Sequence, residues 1–312
     1  MTWHQPMLAT LTDRYFSDPG WVFEHKLDGV RAIAERVDGG EPTLWSRNHK
    51  PMNAAYPELV EALAEQGGSD FTADGEIVAF DGNRTSFATL QPRIHLTDPA
   101  RARATGVRVF YYLFDLLEFG GTDARPLPFR QRRELLRDAF DFHGPLRLSQ
   151  YRNTDGEKFL RQACADGWEG LIAKRADAPY RGGRSRDWLK FKCVKDQEFV
   201  VGGYTDPAGS RSAFGALLLG YYADGELRYA GKVGTGFTEA MLRDVKASLD
   251  ELATTTSPFA DPIAEPRAHW VEPELVAQVG FTEWTGDGRL RHPRFQGLRT
   301  DKTATEVVRE SP

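Results

Sequence analysis

The chain has 312 residues, with 40 Lys+Arg against 45 Asp+Glu and a formal net charge of −5. That length suits two domains, and 40% hydrophobic with 27% charged residues is the balance of a folded protein, which excludes wholesale disorder. No apolar run approaches the roughly 20 residues that span a bilayer, and the opening MTWHQPMLATLTDRYF lacks a basic segment followed by an apolar one, so neither a membrane span nor a secretory signal is expected. Two cysteines, Cys164 and Cys193, are too few for a disulfide framework or a Cys-rich zinc site and fit a reducing cytoplasm.

Taken in order, 21–26 and 30–37 are strand-like, separated by the turn-prone Leu27-Asp28-Gly29. Residues 54–66 carry apolar residues at helical spacing and stop at Gly67-Gly68. The apolar, aromatic stretches 74–81 and 108–119 are expected as buried strands, 127–140 and 155–167 as amphipathic helices, and 170–175 and 187–192 as strands again. Interleaved strands and helices indicate an α+β domain with mixed or antiparallel sheets. After Lys195 the pattern becomes short strands broken by Gly and Asp-Gly turns, with one helix at 238–253 and a proline-rich loop at 257–266. This is the profile of a small β-barrel such as an OB-fold. The expected domains are therefore 1–194 and 195–312.

Several segments carry chemistry. Lys26, Asp28, Gly29 and Arg31 form Lys-x-Asp-Gly-x-Arg, and strand alternation would point Glu24, Lys26 and Asp28 the same way. A lysine becomes a nucleophile when desolvation or nearby cations lower its pKa; otherwise such a row is a surface ion-pair ladder. Arg47, in Ser46-Arg47-Asn48, suits bidentate contact with a phosphate or a plain turn. Glu76 of Asp74-Gly75-Glu76 suits a ribose hydroxyl, a metal or solvent. Phe114 ends an aromatic strand and suits either base stacking or a core. Glu169 immediately precedes the strand that ends in Lys174.

Two tracts are basic against the acidic total. Residues 174–195 hold eight Lys/Arg and two Asp, and Lys190 and Lys192 alternate with apolar residues, giving one cationic strand face. Residues 289–302 hold five Lys/Arg and one Asp. Residues 1–194 contain 27 basic and 27 acidic residues and 195–312 contain 13 and 18, so the acidity belongs to the second domain. The net charge alone argues against nucleic acid; these local tracts reverse that inference.

In the order KLDGVR, SRN, DGE, YLFD, EGLIAK, SRDWLKFK and LRTDK, these segments resemble the ATP-dependent DNA ligases of the covalent nucleotidyltransferase superfamily. The flanking PMLATL and FTEWTGDGRLRHPRFQGLRTDK look closest to the ligase domain of bacterial non-homologous end-joining ligases. The resemblance implies a nucleotidyltransferase (adenylation) domain followed by an OB-fold domain. It also implies ATP and a divalent metal, Mg or Mn, as cofactors, with nicked double-stranded DNA as substrate. Lys26 would attack the α-phosphate to give lysyl-AMP. Glu24 would lie beside the adenine amino group and Phe114 on its ring, with Arg31 and Glu76 on the ribose side and Arg47 at phosphate or ribose. Arg186, Lys190 and Lys192 would contact phosphates, and Glu169 with Glu76 would bind the metal. Arg299 and Lys302 would come from the second domain to the β- and γ-phosphates, swung by a hinge over 192–198. A monomer acting in the bacterial cytoplasm and at the nucleoid, with a Ku-like end-binding protein and a repair polymerase as partners, is implied on the same basis. An RNA ligase or capping guanylyltransferase shares the Lys-x-Asp-Gly element; a clamp without catalysis would be expected to lack Lys26, Glu169 or the paired lysines.

Overall fold

In the computed structural model, which describes residues 4–193, 195–207, 213–265, 267–299 and 301–310, the chain divides into two units, Met1–Cys193 and Val194–Ser311. The first runs through β1 (Met7–Leu11), β2 (Trp21–His25), β3 (Val30–Arg36), β4 (Thr43–Ser46), α1 (Pro57–Ala64), β5 (Phe71–Val78), β6 (Phe80–Asp81), β7 (Arg84–Thr85), α2 (Phe87–Ile94) and α3 (Pro99–Ala104). It continues with β8 (Phe110–Phe119), β9 (Thr122–Asp123), α4 (Phe129–Ala139), β10 (Leu146–Leu148), β11 (Tyr151–Arg152), α5 (Gly156–Ala165), β12 (Gly170–Arg175) and β13 (Gly183–Lys192). Met1–Trp3 of the opening segment, Val194 of the expected hinge, Pro266 of the proline-rich loop, Thr300 of the Arg-x-Asp-Lys element and the side chain of Lys195 lie outside the described residues.

Five strands pair in the order β1-β13-β12-β2-β11, all antiparallel except β1 with β13. A second sheet runs β10-β8-β5-β3-β4, with β9 on β8. One face of the second sheet buries Ala32, Ala34, Ile77, Tyr111 and Leu113 against Leu59 and Leu63 of α1 and Leu90 of α2. Two register shifts between β5 and β8 leave Phe114 and Leu117 without direct cross-strand partners. Such bulges re-aim side chains, and both residues turn into a small core with Met7, Tyr180 and Trp188 that joins the two sheets. Helix starts follow ordinary capping chemistry: Pro57 opens α1, and Ser86 Oγ accepts from Thr89 N at 3.3 Å at α2. The short α2, with Pro92 inside it, and α3 were not signalled by any apolar period.

The second unit holds β14 (Lys195–Thr205), β15 (Leu217–Ala223), β16 (Glu226–Val233), α6 (Glu239–Glu251), β17 (Ala253–Thr254), β18 (Ala268–Val271), β19 (Val276–Phe281), β20 (Glu283–Trp284), β21 (Leu290–Arg291) and β22 (Arg294–Leu298). The long β14 pairs with β15 on one edge and with β19 and then β18 on the other. Its two faces bury separate cores, one with Leu242, Val245 and Leu249 of α6, the other with Phe259 of the proline-rich loop. Among the described residues the expected barrel does not close by strand pairing. β22 meets the segment after β16 through a Phe295 N to Thr235 O hydrogen bond of 2.9 Å and a Phe237–Phe295 ring stack, not through a strand ladder.

The cysteines correct a second expectation. They are joined as a disulfide, because α5 packs on β2 and β12 and its last turn brings Cys164 to a Cα–Cα distance of 5.2 Å from Cys193, just past β13. No helix of the described residues is long and apolar enough to cross a membrane. The bridge closes a sequence separation of 29 residues, and chain-entropy arguments assign such a loop about 3.6 kcal/mol. Thermal melts with and without a dithiol reductant should therefore differ for the wild-type chain and coincide for Cys164→Ser.

Candidate active site

Alternate residues of a strand face opposite ways. On the five-stranded sheet the odd-numbered Phe23, Leu171, Ala173, Leu189 and Phe191 bury against Phe159 and Leu160 of α5. The even-numbered residues carry the polar chemistry. Antiparallel register sets Glu24, Ile172 and Lys190 in one row, and Lys174 opposite Trp188 in the next. In a third row Lys192 stands opposite Gly170, whose carbonyl accepts from Lys26 N at 2.8 Å.

Lys26 lies one residue past β2, and its ammonium pairs with the carboxylate of Glu169. Gly170 permits this arrangement: its φ is +149°, and a Cβ there would sit 1.9 Å from the Phe191 carbonyl oxygen. Cys193 N donates to Glu169 O at 2.9 Å, so the end of β13 holds the residue before β12.

The expected ladder of Glu24, Lys26 and Asp28 does not form, because β2 stops at His25. Asp28 instead accepts from Phe87 N at 3.0 Å through Oδ2, at the start of α2, while its own N donates to Thr85 Oγ1 at 2.9 Å. At Gly29 a Cβ would come within 2.2 Å of the Ile77 carbonyl oxygen, so the turn is pressed against β5.

Glu24 turns inward and is 2% exposed. Its Oε2 accepts from Lys174 Nζ at 3.0 Å and from Ser149 Oγ at 3.1 Å, whereas the buried Oε1 has no hydrogen-bond partner. Leaving such an atom unsatisfied costs on the order of 1–3 kcal/mol, so it marks a place for a donor. Lys174 is itself 1% exposed, with its ammonium 4.1 Å from the Phe114 ring centroid and 4.3 Å from that of Trp188. Burial pushes its pKa below the ordinary lysine value, against the opposing pull of Glu24.

From the second sheet, Arg31 grips Asp74 through Nε at 2.5 Å and Nη2 at 2.6 Å, and Nη2 also donates to Met7 O at 3.1 Å. Tyr180 donates its hydroxyl to Asp74 at 2.6 Å and accepts from Met7 N at 2.8 Å. Burial works against the charge on Arg31, but the Asp74 carboxylate holds the guanidinium above its ordinary pKa. Burial, reinforced by Asp74, raises the Tyr180 phenol well above its own. The Phe114 ring lies 4.7 Å from the Arg31 guanidinium, so the aromatic expected at a base is nearly buried between two cations.

Glu76 stands between Arg31 and Tyr112 across the second sheet, half-buried. Arg47 sits in the turn after β4, which Ser46 N closes on Lys50 O at 2.8 Å. Lys190 and Lys192 are half-buried and Arg186 is exposed on the same strand, while Arg175 and Arg181 both pair with Asp187. In the second unit Arg299 holds Asp301 through Nε at 2.8 Å and Nη2 at 2.7 Å, and Lys302 pairs with Glu198. Burial alone would raise the Asp301 pKa, but Arg299 holds it below the carboxylate range. Among the described residues no three His, Cys, Asp or Glu side chains gather as a metal cage. Lys174, Asp74 and Trp188 lie inside the quoted motifs but were given no role there, and Tyr180 lies outside them. The parity of Lys174 with Lys190 was a usable signal for the first, and Tyr180 had none.

The chemistry available is thus a lysine beside a carboxylate at the end of a cationic strand face, next to a buried acceptor and an aromatic ring. Fold and site together are those of a nucleotidyltransferase domain with an OB-type partner. The ATP dependent DNA ligase domain family matches residues 6–192, and the ATP dependent DNA ligase C terminal region matches 210–302. The chain belongs to the ATP-dependent DNA ligases. It is 40% identical to the multifunctional non-homologous end joining protein LigD of Pseudomonas aeruginosa over 99% of its own length and 37% of that protein. It is 38% identical to the multifunctional non-homologous end joining DNA repair protein LigD of Mycobacterium tuberculosis over 98% and 40%. The chain therefore spans about two-fifths of the length of these relatives. A solved structure of mycobacterial DNA ligase D complexed with ATP and MES superposes with a TM-score of 0.69 at 35% identity, covering 98% of both chains.

His25, beside Lys26, stacks on Trp168 at 4.1 Å and is held at a pKa of about 4, chiefly by burial and then by Arg152. The unfolded imidazole, near 6.5, takes up its proton first as pH falls, so this contribution is complete above about 6.5 and is lost towards 4. Denaturation at pH 6.5 and 5 should show a loss of up to about 2 kcal/mol in wild type that is absent in His25→Phe.

Proposed function

We propose that this chain is a DNA ligase module that uses ATP to seal 5′-phosphate/3′-hydroxyl nicks in duplex DNA during end-joining repair. Residues 1–194 form its adenylation domain and 195–312 its OB domain. The observation that carries the reading is the Lys26–Glu169 pair at the edge of the cationic face formed with Lys190 and Lys192. Lys26 Nζ attacks the α-phosphorus of ATP, an N–P bond forms, pyrophosphate leaves and lysyl-AMP remains. AMP then passes to the 5′-phosphate of a nick, and the 3′-hydroxyl displaces it. Lys190, Lys192 and Arg186 neutralise phosphate charge. Arg47 meets phosphate or ribose, Arg31 and Glu76 face the ribose side, Glu24 accepts from the adenine amino group, and Phe114 supports the ring.

Attack requires the neutral amine, while pairing with Glu169 favours the ammonium form. The donor set fits a hard divalent ion of the magnesium or manganese type, which takes one or two carboxylates and completes its shell with substrate phosphates and water rather than a protein cage. Bound at Glu169 with Glu76, it would supply charge neutralisation at the phosphates and draw Glu169 away from Lys26. Arg299 and Lys302 serve the β- and γ-phosphates once released from Asp301 and Glu198, with 192–198 as the hinge. A Ku-like end-binding protein and a repair polymerase are the partners this reading calls for.

Incubation with α-labelled ATP should leave a label on the denatured wild-type chain and none on Lys26→Ala; a persistent adduct in the variant overturns the nucleophile. On nicked duplexes Lys190→Ala and Lys192→Ala should each slow sealing by about 10- to 100-fold, as expected for removing one cation from a developing polyanion site. Wild-type sealing of pre-adenylylated nicks by both variants would exclude them from the later steps.

A further inference from the structure

Lys174 has no part in the scheme above, yet it is among the largest fully buried side chains of the protein. A lysine brought so far from water needs compensation, and it finds it in one oxygen of Glu24 and in the rings of Phe114 and Trp188. Ser149, itself 4% exposed, donates to the same oxygen. Both donors therefore converge on Glu24 Oε2 and leave Oε1 buried with its lone pairs unused. We propose that Lys174 is a positioning residue for base choice. With Ser149 it holds Glu24 by one oxygen and so fixes Oε1 as the acceptor left for the base, matched to the exocyclic amine of a 6-amino purine and repelling the carbonyl of a 6-oxo purine. This rests on the ATP-dependent reading and extends it to how the base is selected.

An ionised carboxylate cannot donate, so hypoxanthine would set its O6 against Oε1 with no proton between them. Without Lys174 the carboxylate loses one of the two donors that hold Oε2, so Oε1 is no longer fixed towards the base and discrimination falls. ATP against ITP isolates this single group.

The experiment measures the rate of covalent labelling of the full chain across concentrations of α-labelled ATP and ITP. Wild type should prefer ATP by about 100-fold or more, as a site built around one purine hydrogen bond does. Lys174→Met should reduce that ratio by about 10-fold or more, chiefly through the nucleotide concentration giving half-maximal rate, while Lys174→Arg keeps it within about 3-fold of wild type. An unchanged ratio in a Lys174→Met chain that melts cooperatively overturns the proposal, as does an equal drop in Lys174→Arg. If Lys174→Met does not fold, Ser149→Ala decides. Loss of the second donor should lower the ratio by about 3-fold or more, and a wild-type ratio overturns the proposal. Wild type that takes no label from ATP overturns the ATP-dependent reading itself, which is distinct from labelled wild type with an indifferent Lys174.

Discussion

The close approach of β12 to β13 at Gly170 is the constraint on which the first unit's chemistry depends. A side chain of any size there would meet the Phe191 carbonyl. With none present, the Gly170 carbonyl reaches Lys26 N, and Glu169 is drawn to the Lys26 ammonium. One register thereby brings Lys192, Gly170 and Lys26 into a row, and the Lys26–Glu169 ion pair closes it.

Around that row the unit is organised by buried charges rather than by apolar packing alone. Arg31 with Asp74, Lys174 with Glu24, and Arg132 with Asp115 each place one or both partners out of contact with water. Such pairs seldom add much net stability, because desolvation offsets attraction, but removing one partner costs about 3–5 kcal/mol. Their effect is on uniqueness of geometry. Arg132 reaches Asp115 with two nitrogens while also donating to Leu127 O and Ala178 O, so α4 can seat on β8 in only one way.

Much of this was legible in the chain. Alternation at Leu189, Lys190, Phe191 and Lys192 correctly divided a cationic from an apolar face, and the ordered short motifs led to the family. What remained hidden followed from long-range placement. Glu24 and Lys26 share parity, yet Glu24 is buried against Lys174, 150 residues away, while Lys26 is part-buried and pairs with Glu169. Phe114 reads as a strand residue; only the bulge against β5 shows where its ring goes. Cys164 and Cys193 read as spare thiols because nothing local reports that a helix end and a strand end meet. The barrel was inferred from strand lengths and turns, which carry no information on whether the last strand closes on the first.

Asp28 shows a division of labour inside a six-residue motif. It belongs to the same Lys-x-Asp-Gly-x-Arg signature as Lys26, but its carboxylate is spent on the amide that begins α2. The signature is thus two devices written in one string: an ammonium paired with Glu169 and, two residues later, the clasp that anchors a helix to the turn. Loss of the proposed activity on changing the second would report assembly of that corner as much as the nucleotidyl transfer proposed at Lys26, and inactive variants at positions 26 and 28 should not be counted as the same defect.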